Sequence, residues 1–212
     1  MTTVGSKRET APSSTVPTAL LTVLVAVAVA AGVAWAGSRH GKALAGVPIL
    51  AWCVALAFTL QWLAFVPSYM AQTERYYDLT GSVTYLSIVW LAWLGSGMEH
   101  PRALLLVALV TVWAARLGSF LFRRISHEGK DGRFDDIKRS APRFIVAWTL
   151  QGLWVSLTLS AALAAITATQ PAPLRALDAI GALLWVTGFT LEVVADRQKS
   201  AFRRAHPGRF ID

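Results

Sequence analysis

The sequence contains little charge and a single cysteine. Only 15% of its 212 residues are Asp, Glu, Lys or Arg, and 55% are hydrophobic, whereas a typical soluble domain has roughly a quarter charged residues. These charges are too few to cover a water-facing surface, which excludes an ordinary soluble enzyme and a disordered chain. One cysteine, Cys53, excludes a disulfide-stapled secreted domain. The composition therefore indicates an integral membrane protein.

The motifs of common soluble enzymes are also missing. The sequence has no Walker or dinucleotide-binding glycine pattern, no Cys/His cluster with metal-ligand spacing, and no nucleophile elbow. We therefore expect no metal site. Strand alternation is too weak to indicate a barrel, and lipid does not tolerate an open sheet.

Six apolar stretches predict an all-α fold, a polytopic transmembrane helix bundle of about six spans. Each stretch is long enough to cross most or all of a hydrocarbon layer roughly 30 Å thick. Residues 1–17, rich in Ser, Thr and Pro, are predicted to be a disordered tail, and residues 18–212 the membrane domain. A polar loop at 123–143 separates the fourth span from the fifth. The predicted spans cover residues 18–36, 43–66, 79–95, 103–122, 144–167 and 174–195.

The basic residues predict the orientation. The N-terminal tail, the loop between the second and third spans, the polar loop and the C-terminal tail together hold 15 of the 20 Lys and Arg residues, and the opposite side holds 4. By the positive-inside rule the first group, with the N-terminus, lies in the cytoplasm. The net charge of +8 therefore requires no nucleic-acid partner. It suits membrane lipids or a cofactor that carries phosphate.

Two ionisable residues fall inside predicted spans. Arg116 lies about two turns from the cytoplasmic end of the fourth span, and Glu192 about one turn from that of the sixth. A charge at the bilayer centre costs roughly 2.5–3.5 kcal/mol on insertion scales. We expect the two residues to pair, directly or through a cofactor; the alternative for Arg116 is that it snorkels to the headgroups.

Glu192 also begins a spaced set of charges. Asp196, Lys199 and Arg203 follow it by 4, 7 and 11 residues. If the helix continues into the tail, all four lie on one stripe, acidic toward the membrane and basic toward the cytoplasm. A solvated helix end with ordinary intrahelical ion pairs is the alternative.

Residues 73–82 (TERYYDLTGS) join the second and third spans on the predicted cytoplasmic side. Asp78, Thr80 and Ser82 are residue types that cap helix N-termini. Equally, the Tyr76–Tyr77 pair beside a carboxylate can line the mouth of a polar pocket. Both interpretations are open from the residues alone.

These residues belong to a wider pattern that resembles the bacterial membrane proteins of the DUF1295 family, relatives of the steroid 5-alpha reductases. The resemblance covers roughly residues 60–212. The matching segments are 73–82, 115–125 (ARLGSFLFRRI), 129–131 with 133–138, 148–155 (WTLQGLWV) and, in the sixth span and its extension, 188–192, 195–196, 198–199 and 202.

The resemblance implies an integral oxidoreductase of the bacterial inner (plasma) membrane. It would use NADPH to reduce a C=C bond conjugated to a carbonyl on a lipophilic, steroid- or isoprenoid-like substrate. By position, Arg116 matches a cofactor-contacting arginine. Glu192 and Asp196 would lie near the nicotinamide, and Lys199 and Arg203 near phosphates. The candidate catalytic residues are Tyr77, chosen by location as the carbonyl donor, and its neighbour Asp78.

The chain departs from the reductase pattern in three places. Trp113 stands where steroid reductases have a substrate-contacting tyrosine, and Glu192 where they have an amide. The resemblance also implies a further Ser-Arg-His-Pro-Asn-Tyr stretch and more spans after Asp212. We therefore expect a fragment or truncated product: the full-length parent would carry the reductase activity, and the chain as given would bind NADPH weakly or be inactive. The alternatives are an S-adenosylmethionine-dependent methyltransferase of the isoprenylcysteine or phospholipid type, and a non-catalytic membrane protein fragment.

Overall fold

The computed structural model describes residues 15–97 and 100–206. Most of the predicted disordered tail, residues 1–14, lies outside the described residues, and residues 15–17 already belong to the first helix. The chain divides into two compact units, Met1–Pro171 and Ala172–Asp212. The helices are α1 (Thr15–Gly37), α2 (Ile49–Met70), α3 (Tyr77–Gly95), α4 (Pro101–Glu128), α5 (Ala141–Ile166) and α6 (Ala176–Ala205).

The predicted all-α membrane fold is confirmed. Each of the six predicted spans corresponds to one helix, and five helices, all except α3, are long and apolar enough to cross a membrane. The first two turns of α3 contain Asp78, Thr80, Ser82 and Thr84, which lower its hydropathy. In the first unit, α3 packs against α2, α4 and α5, and α1 packs mainly against α5.

The second predicted span begins too early. Residues 43–48 form a small hairpin, in which β1 (Ala43–Leu44) pairs antiparallel with β2 (Val47–Pro48). Its turn has positive φ at Ala45 (52°) and Gly46 (78°), as a two-residue hairpin turn requires. The apolar composition of these residues made them look like part of the span, but α2 starts only at Ile49.

The polar loop at 123–143 is shorter than predicted, because α4 continues to Glu128. The helix ends where Gly129 takes a φ of +82° and its N–H bonds to the Ile125 carbonyl. Arg116 therefore lies about three turns, rather than two, from the end of its helix. A short 3-10 helix, Gly132–Phe134, begins after Asp131, whose side chain accepts a hydrogen bond from Arg133 N.

Two glycines allow α3 to approach its neighbours closely. A Cβ on Gly118 of α4 would lie 2.6 Å from the Cβ of Ser82, and a Cβ on Gly81 would lie 2.6 Å from Nε2 of Gln151 in α5. Side-chain carbon cannot occupy either position without moving a neighbour. Both glycines belong to the segments that carry the family resemblance, so part of that pattern reflects helix packing.

Candidate functional site

The most buried ionic group in the described residues joins two connecting segments at the predicted cytoplasmic end. Glu74, in the α2–α3 connection, is only 5% exposed. Its Oε2 accepts from Lys138 Nζ at 2.7 Å, and its Oε1 accepts from the Asp131 N–H at 2.7 Å. Asp135 adds a second contact to Lys138, at 3.3 Å. We call these four residues the clamp, because they tie the α4–α5 connection to the start of α3.

The charged groups of the clamp are already hydrogen-bonded or ion-paired within the protein. Burial by itself would raise the pKa of Glu74, but its hydrogen bonds to Lys138 and to the Asp131 backbone outweigh burial and hold the pKa below the ordinary value. The Glu74 hydrogen bond correspondingly raises the pKa of Lys138. Hydrogen bonding by Arg133 lowers the pKa of Asp131. Because every charge is matched within the protein, the arrangement favours a structural role over ligand binding.

The capping interpretation of residues 73–82 is wrong. The N-cap residue of α3 is Tyr76, and no side chain caps it. The Thr80 and Ser82 hydroxyls instead donate to the carbonyls of Tyr76 and Asp78, one turn back. The Asp78 carboxylate reaches α4, where its Oδ2 lies 3.3 Å from Arg124 Nη2, with both side chains about a quarter exposed. Asp78 therefore binds a neighbouring helix through its carboxylate.

Tyr77, the predicted carbonyl donor, lies in an aromatic cluster. Its hydroxyl donates to the Ala147 carbonyl at 2.9 Å. Its ring centroid lies 4.9 Å from that of Phe134 and 5.1 Å from that of Trp148, and Phe144 completes the core of the cluster. The hydroxyl is thus already engaged, and a catalytic role for Tyr77 or Asp78 stays a prediction.

An open apolar cleft lies between the end of α2 and the start of α3. Its volume is about 550 Å³, within the range of small-molecule sites. Pro67, inside α2, lacks an N–H and interrupts the hydrogen-bond ladder of this wall. Tyr76, and not Tyr77, is part of the lining, so the predicted pocket mouth corresponds to Tyr76. The lining residues are Leu60, Leu63, Ala64, Pro67, Ser68, Ala71, Thr73, Tyr76, Leu79, Thr80 and Val83.

The sequence did not single out the walls of this cleft. Leu60, Leu63, Ala64 and Pro67 share one face of α2, but most other residues of that helix are apolar as well. Hydrophobic periodicity therefore does not distinguish the face of α2 that lines the cleft from its other faces. Glu74 and Lys138 were missed for a different reason, because only the fold brings residues 64 positions apart together.

Four side chains each have a buried polar atom without a hydrogen-bond partner among the described residues: Gln61, Trp93, Trp148 and Gln151. Gln61 is fully buried and donates through Nε2 to Thr84 Oγ1 at 3.0 Å. Among the described residues its Oε1 has no partner, nor do Oε1 of Gln151 and Nε1 of Trp93 and Trp148. Gln151 does donate to the Tyr77 carbonyl at 3.2 Å.

The predicted cofactor residues lie on α4 and α6. The guanidinium of Arg116 is 5.3 Å from the centre of the Phe120 ring, a cation–π contact. The helix α6 runs without interruption to Ala205. The sixth span therefore continues as a helix into the C-terminal tail, as the predicted charged stripe requires. Glu192 and Asp196 are half-buried, and Lys199 and Arg203 are exposed. The pairing of Arg116 with Glu192 stays a prediction.

A family model described as "Protein of unknown function (DUF1295)" matches residues 64–211, which include the clamp, the aromatic cluster, most of the cleft and the charged stripe. No curated protein and no solved structure matches the chain significantly.

Proposed function

The chain belongs to the DUF1295 family of membrane proteins, and we propose that it is an NADPH-dependent reductase. The reaction would reduce a C=C bond conjugated to a carbonyl on a lipophilic substrate. The observation that carries the proposal is the continuous helix α6, which presents Glu192, Asp196, Lys199 and Arg203 at intervals of 4, 3 and 4 residues. The resemblance to steroid 5-alpha reductases supports the same assignment.

The side chains of this stripe fit the chemistry of a phosphorylated dinucleotide. Lys199 and Arg203 are exposed cations that suit phosphate oxygens, since arginine binds phosphate through a planar fork and lysine as a point charge. The Glu192 and Asp196 carboxylates can accept hydrogen bonds from a carboxamide or ribose hydroxyls. When bound, NADPH would supply a hydride to the β-carbon, with a proton completing the reduction.

The basic end of α6 offers a matched test. On a helix of 3.6 residues per turn, Arg197 and Arg204 lie on a different face from Lys199 and Arg203. Lys199→Ala/Arg203→Ala and Arg197→Ala/Arg204→Ala therefore remove the same charge from different faces. We expect the first variant to weaken NADPH binding by about 10-fold or more, because each charge-assisted hydrogen bond contributes about 1.5–3 kcal/mol. The second variant should change binding little.

Two measurements on the purified protein in lipid nanodiscs check this proposal. The first is the shift of the melting temperature with NADPH, because a ligand that binds the native state stabilises it by mass action. The second is NADPH consumption with a panel of steroid and isoprenoid enones. Stabilisation by S-adenosylmethionine instead of NADPH would indicate a methyltransferase. No stabilisation by either compound and no turnover would indicate a non-catalytic protein.

A further inference from the structure

Two adjacent tyrosines at the start of α3 have different surroundings. The Tyr77 hydroxyl is bonded to the Ala147 carbonyl, and its ring packs among Phe134 and Trp148. The Tyr76 side chain is 47% exposed and lines the cleft. Of the two tyrosines, therefore, only Tyr76 presents its side chain to a molecule that occupies the cleft.

The position of Tyr76 is well supported. Its carbonyl accepts from both the N–H and the hydroxyl of Thr80, each at 2.8 Å. Its ring stacks against Phe122 of α4, with centroids 6.4 Å apart and planes 24° apart. The residue is thus anchored to two helices, as a hydrogen-bond donor for a ligand must be.

The cleft has an apolar end and a polar end. From Leu60 to Ala71 its α2 wall is about 16 Å long at 1.5 Å per residue, which suits an extended hydrocarbon chain. The hydroxyl-bearing residues Thr73, Tyr76 and Thr80 lie toward the α2–α3 connection, while Leu60 and Val83 lie at the other end. Arg75 is not part of the lining: its guanidinium lies 5.9 Å from the centre of the Phe122 ring and donates to Ser126 Oγ at 3.3 Å, both on α4.

We propose that the α2–α3 cleft binds the hydrocarbon chain of the lipophilic substrate, and that Tyr76 donates a hydrogen bond to the oxygen at its polar end. The occupant is an amphiphile with an isoprenoid-like chain and a carbonyl acceptor. The lining fits it, because the α2 wall is largely apolar and the Tyr76 hydroxyl is a hydrogen-bond donor for an oxygen acceptor. The identification of that oxygen as an enone carbonyl rests on the proposed function.

Binding can be measured without NADPH, using two probes. One is a farnesyl methyl ketone with a photoactivatable diazirine in its chain, and the other is the same hydrocarbon without the ketone. We expect the ketone probe to crosslink to cleft residues such as Leu63 and Val83 in nanodiscs. Tyr76→Phe should weaken the ketone probe about 3- to 10-fold, the effect of one hydrogen bond, and leave the hydrocarbon probe unchanged.

Two further variants test the shape of the site. Val83→Trp places a bulky ring in the cleft and should abolish crosslinking of both probes. Leu150→Trp changes an exposed residue of α5 outside the lining and should not affect it. Melting temperatures establish that each variant is folded.

Three results would overturn the inference. The first is crosslinks outside the cleft. The second is ketone-probe binding that is the same in the parent and in Tyr76→Phe, and the third is weaker ketone-probe binding in Tyr77→Phe but not in Tyr76→Phe. Crosslinking in the cleft without NADPH turnover would leave this inference standing and remove the reductase proposal. NADPH turnover with crosslinks outside the cleft would support the reductase proposal and overturn this inference.

Discussion

The clamp and the cleft both include residues of the short α2–α3 connection, yet they differ in polarity and access. In the clamp, Glu74 is almost fully buried and both of its carboxylate oxygens are bonded within the protein. The cleft is open, mostly apolar, and has Tyr76 at its mouth. Saturated polar groups hold a fold together, whereas open surfaces with a few polar groups at one end are suited to ligands. Residues from both regions fall within one family-matching segment, so the match alone does not separate the two roles.

Breaking the clamp should produce the largest loss of stability. Glu74→Ala leaves the Lys138 ammonium, whose side chain is only 16% exposed, without its buried partner. Removing one member of a buried pair typically costs about 3–5 kcal/mol. SDS-induced unfolding in mixed micelles measures the change. Glu74→Ala/Lys138→Met should recover part of the loss, because it removes the Lys138 ammonium, which otherwise keeps only its contact with the more exposed Asp135.

The matched control for this prediction is Lys130→Ala. Lys130 contacts Asp135 at 3.3 Å, but its side chain is 70% exposed. Exposed pairs contribute little to stability, because water and salt screen them. Equal losses for Glu74→Ala and Lys130→Ala would contradict the structural role assigned to the buried carboxylate.

A smaller loss is expected where α3 meets α4. Gly118→Ala would place a Cβ 2.6 Å from the Cβ and 2.7 Å from the Oγ of Ser82, and overpacking of this kind typically costs about 1–3 kcal/mol. Ser82→Gly in the same chain should restore much of the stability, since it removes both clashing atoms. Gly32→Ala in α1 is the control. Nothing lies within 4 Å of the added Cβ, so better helix propensity should stabilise by up to about 1 kcal/mol.

The pH dependence of the clamp should be the smallest effect, because a protonated Glu74 can still hydrogen-bond. Its pKa is lowered in the fold, so its contribution is complete above the ordinary glutamate pKa of about 4.3 and is lost as the pH falls through the folded value. The raised pKa of Lys138 has the opposite sign, and its contribution is lost as the pH rises through the folded lysine value. Melting temperatures should therefore be highest between these limits. Glu74→Gln should flatten the acid side; an unchanged acid slope would show that other carboxyls control it.

Much of the fold could be predicted from the sequence. Long apolar stretches can satisfy their backbone in lipid only as helices, and all six predicted spans correspond to helices. The predicted helix ends were wrong where apolar residues do not form a helix or polar residues do. Residues 43–48 are apolar but turn at Ala45 and Gly46, and residues 123–128 are polar but remain helical because nothing breaks α4 before Gly129.

The candidate site was harder to predict than the fold. The α6 stripe followed from spacing alone, because its four charged residues share one helix. The different environments of Tyr76 and Tyr77 did not, since adjacent tyrosines look equivalent in a sequence. Their contacts in the fold distinguish them: the Tyr77 hydroxyl donates to the Ala147 carbonyl, whereas the Tyr76 ring stacks against Phe122.

A helical membrane protein with a charged stripe on α6 could be predicted from the amino-acid sequence. These properties depend on composition and on local periodicity, which act within one segment. Helix packing, by contrast, brings Glu74 into contact with Lys138, places Gly118 against Ser82 and forms an apolar cleft beside Tyr76. Each of these depends on how separate helices meet, and a uniformly apolar helix does not show in its own sequence which face its neighbours will cover.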